Sequence, residues 1–320
     1  MDANLRNNAT HVLVLLVLLI ALLTVLVFTG LLSCNVVPSG CDIFYAVFKG
    51  GQPVVLIAHG EEGMGDYKAL ESILGDRSIL STQVRTLEID RLTYGNVKDY
   101  DLIIVTQAKQ ICSTKLKVFE YYVNNGGRLI WTGDAGTELC GGETQGEKYP
   151  QNDSYLLESE RFENGTEKII GPWARKDYNE QLSFDEFLGV NYKGNYCEFA
   201  DCKGEAGYIE SVSTDHKLVY GLSPSLPFEG NFAIVEMNKD STTRLVAVLD
   251  YGTKLLAEAG EQPWLEKGKQ YNFGEKLPFI VSSQVGERVA YYAAPLETIY
   301  NQPQKYKAII EQAYFGMLFK

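Results

Sequence analysis

Residues 101–136 read DLIIVTQAKQICSTKLKVFEYYVNNGGRLIWTGDAG, and the predicted fold class rests on this stretch. Residues 101–106 are a short, continuous apolar run, which is typical of a strand buried on both faces of a parallel sheet. Ser113 can cap a following helix, which Gly126 brings to an end. Residues 128–132 form the next apolar run. A strand, a helix and a strand in this order predict a parallel βαβ unit.

The same alternation continues on both sides of this unit. Upstream, apolar runs at 53–58 and 84–89 predict two further strands, and the periodicity of 66–74 predicts a helix between them. Downstream, we predict a short helix at 184–188 and a final amphipathic helix at 305–318. Five more strands are predicted between them, at 208–212, 233–237, 245–251, 279–283 and 289–293. The expected class is therefore α/β, with an open, mostly parallel sheet and helices on both faces.

A long apolar segment precedes this domain. Residues 12–32 read VLVLLVLLIALLTVLVFTGLL and contain no charged side chain. At 1.5 Å per residue, a helix of this length spans about 30 Å, the thickness of the hydrocarbon core of a bilayer. We therefore predict one transmembrane helix over 12–32, with the lipid bilayer as its partner. A cleaved signal peptide is an alternative, although its apolar region is usually shorter, and so is a lipoprotein signal that acylates Cys34.

The charges that flank the apolar segment predict its orientation. Arg6 precedes the segment, and Asp42 comes before Lys49 on its other side. The positive-inside rule then predicts a single-pass protein of the cell membrane with its carboxyl-terminal domain outside the cytoplasm. We predict a cytoplasmic tip with the membrane helix over 1–33 and a stalk over 34–51. The α/β domain follows over 52–320 and carries a polar insertion at about 141–205.

The composition excludes some partners. Hydrophobic residues make up 45% of the 320 residues, which is enough for a substantial core. The formal net charge is −12. A surface of this sign repels phosphate backbones, so we expect no nucleic-acid partner. It also repels anionic lipid headgroups, so attachment to a membrane has to be hydrophobic.

Cysteines and glycosylation sequons are both compatible with a domain outside the cytoplasm. An even number of cysteines permits three disulfides in an oxidising compartment, and we expect the pairs Cys34–Cys41, Cys197–Cys202 and Cys112–Cys140. Free buried thiols are the alternative. The cysteine and histidine spacings are not those of zinc sites, so we expect no metal. Asn152 and Asn164 begin candidate glycosylation sequons.

Four segments together resemble a known superfamily. They are VVLIAHGEEG at 54–63, YDLIIVTQ at 100–107 with YYVNNGGRLIWTGDAGT at 121–137, DHKLVYGL at 215–222, and GERVAYYAAPLE at 286–297. Over 52–140 and 205–320 the chain resembles class I glutamine amidotransferase-like domains, and within them the divergent trehalose-utilisation-like group. The resemblance implies a flavodoxin-like, three-layer fold. Its motifs specify the fold well and the activity poorly.

The resemblance also implies where a nucleophile would lie. In catalytic members, a cysteine occupies a tight turn after the fourth strand. The matching turn here is 133–136, GDAG, so Asp134 stands at the position of the thiol or next to it. A carboxylate cannot perform the acyl transfer of a thiolate. The resemblance therefore implies the amidotransferase-like fold without glutaminase chemistry.

Candidate binding residues follow several of the predicted strands. Ligands of open α/β sheets bind beyond the carboxyl ends of the strands, and this edge is expected to carry His59, Glu61, Glu62, Gln107, Asp134 and Thr137. These residues either line a polar pocket or serve as ordinary loop and cap residues. The first function hypothesis is a non-catalytic binding or scaffolding module of the cell envelope, with an envelope protein or a glycan as its partner. The alternative is a divergent hydrolase or sugar-processing enzyme that uses acidic residues at this edge, and neither hypothesis calls for a cofactor.

Overall fold

A computed structural model gives the fold, and it describes the residues in these ranges: 3–28, 40–48, 50–145, 162–163, 166–167, 171–177, 180–200, 202, 205–238, 242–258, 260, 264–265, 267–299 and 303–319. Cys34, Asn152 and Asn164 lie outside the described residues. The predicted pair Cys34–Cys41 and both glycosylation candidates therefore stay predictions.

The chain begins with a long apolar helix, α1 (Ala3–Phe28). Within it, Asn8–Val27 is long and apolar enough to cross a membrane, with 20 residues and a mean hydropathy of 3.0. The large side chains from Val12 to Ile20 are each at least half exposed, so the domain does not cover this part of the helix. A membrane span and a signal sequence both have these properties. The last part of the predicted span, 29–32, lies outside the described residues.

A second helix, α2 (Gly40–Phe48), replaces much of the predicted stalk. Cys41, Phe44 and Tyr45 are buried in the core of the domain, and the Tyr45 hydroxyl donates a hydrogen bond to the Leu80 carbonyl at 2.6 Å. The stalk predicted for 34–51 is therefore wrong over α2. Its glycines suggested a linker, but the aromatic side chains between them have the helical spacing that buries one face.

The first of the remaining elements alternate between strands and helices, and most of the later described elements are strands. In chain order they are β1 (Val54–His59), α3 (Tyr67–Gly75), β2 (Gln83–Glu88), α4 (Tyr94–Val97), β3 (Leu102–Thr106), α5 (Ser113–Asn124), β4 (Leu129–Thr132), β5 (Glu143–Gln145), β6 (Phe162–Glu163), β7 (Thr166–Glu167), β8 (Ala174–Asp177), β9 (Glu180–Ser183), α6 (Phe184–Leu188), β10 (Val190–Asn195), α7 (Tyr196–Phe199), β11 (Glu205–Ser211), β12 (Ser225–Glu229), β13 (Ala233–Met237), β14 (Arg244–Glu258), β15 (Gln270–Ser283), β16 (Val289–Tyr292) and α8 (Pro303–Phe319). The described residues also form two 3-10 turns, Ile89–Arg91 and Leu296–Ile299.

One nine-stranded sheet organises the domain, in the order β12-β11-β14-β15-β16-β4-β3-β1-β2. The strands from β16 to β2 are parallel, and β3 and β4 are buried along their whole length. From β16 outward, β15, β14, β11 and β12 pair antiparallel. The predicted α/β class with an open sheet is confirmed, and the antiparallel strands extend its parallel half.

The glycines after α5 have a clear structural role. Gly126 has φ +100°, a conformation that residues with a side chain rarely adopt, and it ends the helix. Gly127 lies against the ring of Tyr122, and a Cβ atom there would come within 2.3 Å of that ring. The Tyr122 hydroxyl donates to the Tyr100 carbonyl at 2.9 Å. These contacts fix the entry of the chain into β4, whose far end carries the turn with Asp134.

His216, between β11 and β12, is a buried structural residue. Its Nδ1 accepts a hydrogen bond from the Leu218 amide at 3.2 Å, so Nε2 carries the proton of the neutral ring. Nε2 lies 3.1 Å from a carboxylate oxygen of Glu287. Burial lowers the pKa of His216 below 6.5, and Glu287 opposes that change without reversing it.

This burial predicts a loss of stability in mild acid. As the pH falls below 6.5, the unfolded chain binds a proton at His216 that the folded chain still excludes, so the free energy of unfolding decreases until the lower folded pKa is passed. In His216→Asn this decrease should be smaller by an amount on the order of 1 kcal/mol. Urea unfolding of the purified full-length protein in detergent, at about pH 7.5 and about pH 5.5, measures it. His59→Asn is the control, and parallel pH profiles of wild type and His216→Asn would contradict the prediction.

Candidate functional site

The turn after β4 holds Asp134 inside the protein. Its side chain is 3% exposed. Oδ1 accepts a hydrogen bond from the Met64 amide at 2.7 Å, and Oδ2 accepts one from the Asn195 side-chain amide at 3.1 Å. The carboxylate therefore joins the loop after β1 and the end of β10 to this turn, and both its oxygens are engaged.

Asn195 is a site residue that the sequence analysis missed. It ends β10, which pairs antiparallel with β13, and it is 6% exposed. Its Oδ1 accepts a hydrogen bond from the Tyr192 hydroxyl at 2.7 Å, so Tyr192, Asn195 and Asp134 form a buried chain of hydrogen bonds. Asn195 and Glu198 also form the capping box of α7. The N-x-x-E pattern of that box was the one available signal in this polar stretch.

Two tryptophans cover the same turn. The indole nitrogens of Trp131 and Trp173 each donate a hydrogen bond to the Ala135 carbonyl at 2.9 Å. Both side chains are completely buried, so neither offers a face on which a sugar could stack. Trp264 donates to the Lys193 carbonyl at 2.9 Å and packs edge-on against Tyr192. The predicted insertion thus contributes Trp173 to the interior of the site.

A buried cation cross-links the loops around the turn. The Arg175 side chain is 0% exposed. Its guanidinium donates a hydrogen bond to a carboxylate oxygen of Glu143 at 3.1 Å. It also donates to four backbone carbonyls, those of Ile111, Gly136, Glu138 and Pro172. Burial lowers the pKa of Arg175 to about 10, while Glu143 opposes the change. The guanidinium therefore stays charged at neutral pH.

Glu143 completes this cross-link. Its Oε1 accepts from the Ser113 amide at 2.6 Å, and its Oε2 accepts from the Cys140 amide at 3.1 Å. Burial alone would raise the pKa of Glu143, but these amides and Arg175 outweigh it and hold the pKa below 4.5. The ion pair is therefore fully formed at neutral pH.

A disulfide reinforces the same loops. Cys112 and Cys140 are bonded, with their Cα atoms 5.2 Å apart, and Cys197 is bonded to Cys202 with Cα atoms 5.0 Å apart. Two of the three predicted pairs are therefore present.

The sulfurs of Cys112 and Cys140 and the Glu143 carboxylate lie within 4.8 Å of one another, a spacing that a metal site would require. Because the sulfurs are bonded to each other and both Glu143 oxygens accept hydrogen bonds, this group acts as a cross-link.

The other predicted edge residues divide into two groups. His59 stacks on Tyr67 with ring centroids 3.8 Å apart, and the Gln107 side chain accepts from the Tyr67 amide at 3.3 Å, so the structure brings these two residues to one place. Thr137 donates to the Asp134 carbonyl at 2.8 Å. Glu61 and Glu62, by contrast, are exposed. The six candidates share one edge of the sheet, but the polar atoms of Gln107, Asp134 and Thr137 hold loops in place.

Glu297, after β16, is a second buried carboxyl that the sequence analysis did not single out. It is 5% exposed, and its Oε1 accepts from the Thr106 hydroxyl at 2.7 Å and from the Asp66 amide at 3.3 Å. Its Oε2 is buried as well, and the buried Tyr314 hydroxyl interacts with this carboxyl group. Burial raises the pKa of Glu297 above 4.5. Gly65 makes this approach possible, because a Cβ there would lie 2.1 Å from the Thr106 hydroxyl.

An open cleft is lined by residues of the paired strands β11 and β14. Its volume is about 560 Å³, and its lining includes Tyr208, Glu210, Asp250 and Tyr251. Lys276 bridges the two carboxylates of this lining at 2.9 and 3.0 Å. The cleft is therefore lined by an ion-pair network and two tyrosines.

Several solved structures share part of this architecture at low sequence identity. A ThuA-like protein from Bacteroides uniformis is 14% identical, with 83% of this chain and 92% of that chain covered and a TM-score of 0.49. A GMP synthase component from Thermoplasma acidophilum is 8% identical over 82% and 96% of the two chains, with a TM-score of 0.43. A β-galactosidase from Rahnella sp. R3 is 14% identical over 81% of this chain and 30% of that chain, with a TM-score of 0.45. No protein-family model and no curated protein matches the sequence.

The hydrogen bonds of Asp134 predict a stability role. In Asp134→Asn, one side-chain atom becomes an NH₂ donor that faces another donor, either the Met64 amide or the Asn195 amide. We expect the free energy of unfolding to fall by about 1–3 kcal/mol, measured by urea unfolding. Glu61→Gln makes the same chemical change at an exposed position of this edge and should alter stability by less than about 0.5 kcal/mol. Equal effects of the two substitutions would show that Asp134 is not engaged as described.

Proposed function

We propose that this chain is a membrane-anchored, non-catalytic binding or scaffolding module of the cell envelope. In this proposal, α1 holds an amidotransferase-like α/β domain outside the cytoplasm. The observation that carries it is the state of Asp134, whose two carboxylate oxygens are both hydrogen-bonded in a buried turn. The resemblance implies that this residue stands at the position of the nucleophile or next to it. A residue in this state stabilises the fold and has no free atom for a substrate.

The backbone of the same turn supports the proposal. Acyl transfer needs amide donors aimed at the oxyanion. The Gly133 amide donates to the Tyr292 carbonyl at 2.8 Å, and the Gly136 amide donates to the Ala108 carbonyl at 2.8 Å. The Ala135 amide donates to the Thr132 carbonyl at 3.2 Å. These three amides would have to leave their partners before they could stabilise a tetrahedral intermediate.

One observation favours the alternative of a divergent hydrolase. Glu297 is a buried carboxyl with a raised pKa at the carboxyl edge, and such a group can act as a general acid. However, its Oε1 is held by Thr106 and Asp66, and only 5% of the residue is exposed. A substrate would reach it only after a large rearrangement, so the binding module remains the proposal.

Two features support a location outside the cytoplasm. Disulfides persist in oxidising compartments, and the described residues contain two of them. The helix α1 has the length and apolar character of an anchor, with Arg6 on the side assigned to the cytoplasm. The partner in the envelope would be a protein or a glycan that contacts the exposed loops.

The proposal predicts no turnover of glutamine. The purified full-length protein in detergent should release no ammonia above the buffer rate from glutamine, and should cleave none of a panel of chromogenic esters and glycosides. A known glutaminase in the same detergent is the positive control. Activity that Glu297→Gln abolishes would favour the hydrolase. Glutaminase activity that Cys112→Ser or Cys140→Ser abolishes would place a nucleophile on those loops and overturn the proposal.

The proposal also predicts topology. Protease added to intact cells or spheroplasts that express the full chain should degrade the domain, because it lies outside the cytoplasm. A cytoplasmic protein followed in the same samples controls for lysis. If the domain were cleaved only after the cells are broken, the proposed orientation would be wrong.

A further inference from the structure

The outward face of α2 is apolar. Ile43 and Val47 are 61% and 67% exposed, and Ala46 lies between them on the same side of the helix. Positions i, i+3 and i+4 of a helix form one continuous face. The face that α2 turns to its surroundings therefore carries the side chains that proteins normally bury, with large aliphatic groups at both ends.

Within α2, no charged side chain lies on this face. Asp42 is the one charged residue of α2, and its carboxylate accepts hydrogen bonds from the Ser81 hydroxyl at 2.6 Å and from the Gln52 side chain at 2.9 Å. It is thus committed to the domain. The opposite side of the helix buries Phe44 and Tyr45 in the core. A helix that is apolar on all sides is normally covered on all sides, so the outward face of α2 calls for a second apolar environment.

The position of α2 indicates what that environment is. Its contacts are with residues that come just before strands: Tyr45 bonds to Leu80, which precedes β2, and Asp42 bonds to Gln52, which precedes β1. The helix therefore lies at the amino ends of the parallel strands, opposite the edge that carries Asp134. The end of the apolar helix α1 also contacts the domain, because Val27 in its last turn packs against the hydrophobic core.

We infer that the Ile43–Val47 face of α2 rests in the interfacial layer of the bilayer, which fixes the domain with its amino edge on the lipid and its Asp134 edge facing away. This inference rests on the proposed anchoring by α1. Because the net charge of −12 repels anionic headgroups, the contact is with the apolar and zwitterionic part of the interface. A short apolar helix adds too little area to bind a membrane alone, and the anchor supplies the proximity that makes the weak contact persist.

Tryptophan quenching by brominated lipid tests the contact. The full-length variant Ile43→Trp is reconstituted in phosphatidylcholine vesicles with and without brominated acyl chains, next to wild type and Leu256→Trp. Leu256 is a matched control, since it is 54% exposed and lies on the β14–β15 hairpin, in its part beyond Asp250. The wild type supplies the background of the three native tryptophans. We expect the bromolipid to lower the added fluorescence of Ile43→Trp at least about twofold and to leave that of Leu256→Trp unchanged.

The outcomes separate this inference from the anchoring on which it rests. Failure of the wild type to float with the vesicles would overturn the anchoring itself. Flotation with no quenching of Ile43→Trp would overturn only the contact, and would mean that another part of the chain or a second copy covers α2. Equal quenching of both variants would show that the domain has no fixed orientation. A folded Val47→Trp variant, quenched like Ile43→Trp, supplies an independent reading if Ile43→Trp does not fold.

Discussion

The guanidinium of Arg175 is the interaction on which the carboxyl edge of the sheet is built. It is removed from water and bound to four carbonyls and to Glu143, so it joins loops that the sheet alone would leave separate. Removing one partner from a buried ion pair generally costs about 3–5 kcal/mol, because the remaining charge is left without compensation. The Cys112–Cys140 bond closes the same loops covalently. This scaffold joins the Asp134 turn to the neighbouring loop, because Arg175 bonds to both Gly136 and Ile111.

Because of this scaffold, the carboxyl edge of the sheet differs from the usual ligand site of an open α/β protein. In open α/β proteins the carboxyl ends of the strands usually leave a crevice that a ligand can fill. Here the chain fills that space itself with Trp173, Arg175 and Asn195, all from one polar segment. The result is a turn whose polar side chain is buried and hydrogen-bonded like that of a core residue. A partner of this domain would have to be recognised by its exposed surfaces.

How much the sequence could predict depended on how local each signal was. The buried runs of β1, β3 and β4 and the glycines after α5 specify structure within a few residues, and the structure has these elements where they were predicted. The helix α2 was missed because flanking glycines dominated a short aromatic segment. Asn195, Arg175 and Glu297 were missed for a different reason. Each of them bonds to a residue far away in the chain, as Asn195 does to Asp134, Arg175 to Gly136 and Glu297 to Thr106, and a local pattern does not reveal such a contact.

The register of the sheet has a consequence for how the protein is made. The parallel half closes only when β16 inserts beside β4, with Val289 opposite Leu129. Every residue between them must leave the ribosome before that pairing forms, and non-local strand pairing is intrinsically slow. The helix α1 is synthesised long before that point. Until β16 pairs with β4, the apolar faces of the β3 and β4 segments are not fully covered. Under the proposed anchoring by α1, a nascent chain of this topology would spend its most aggregation-prone interval held at one end, where tethering keeps neighbouring copies from meeting freely.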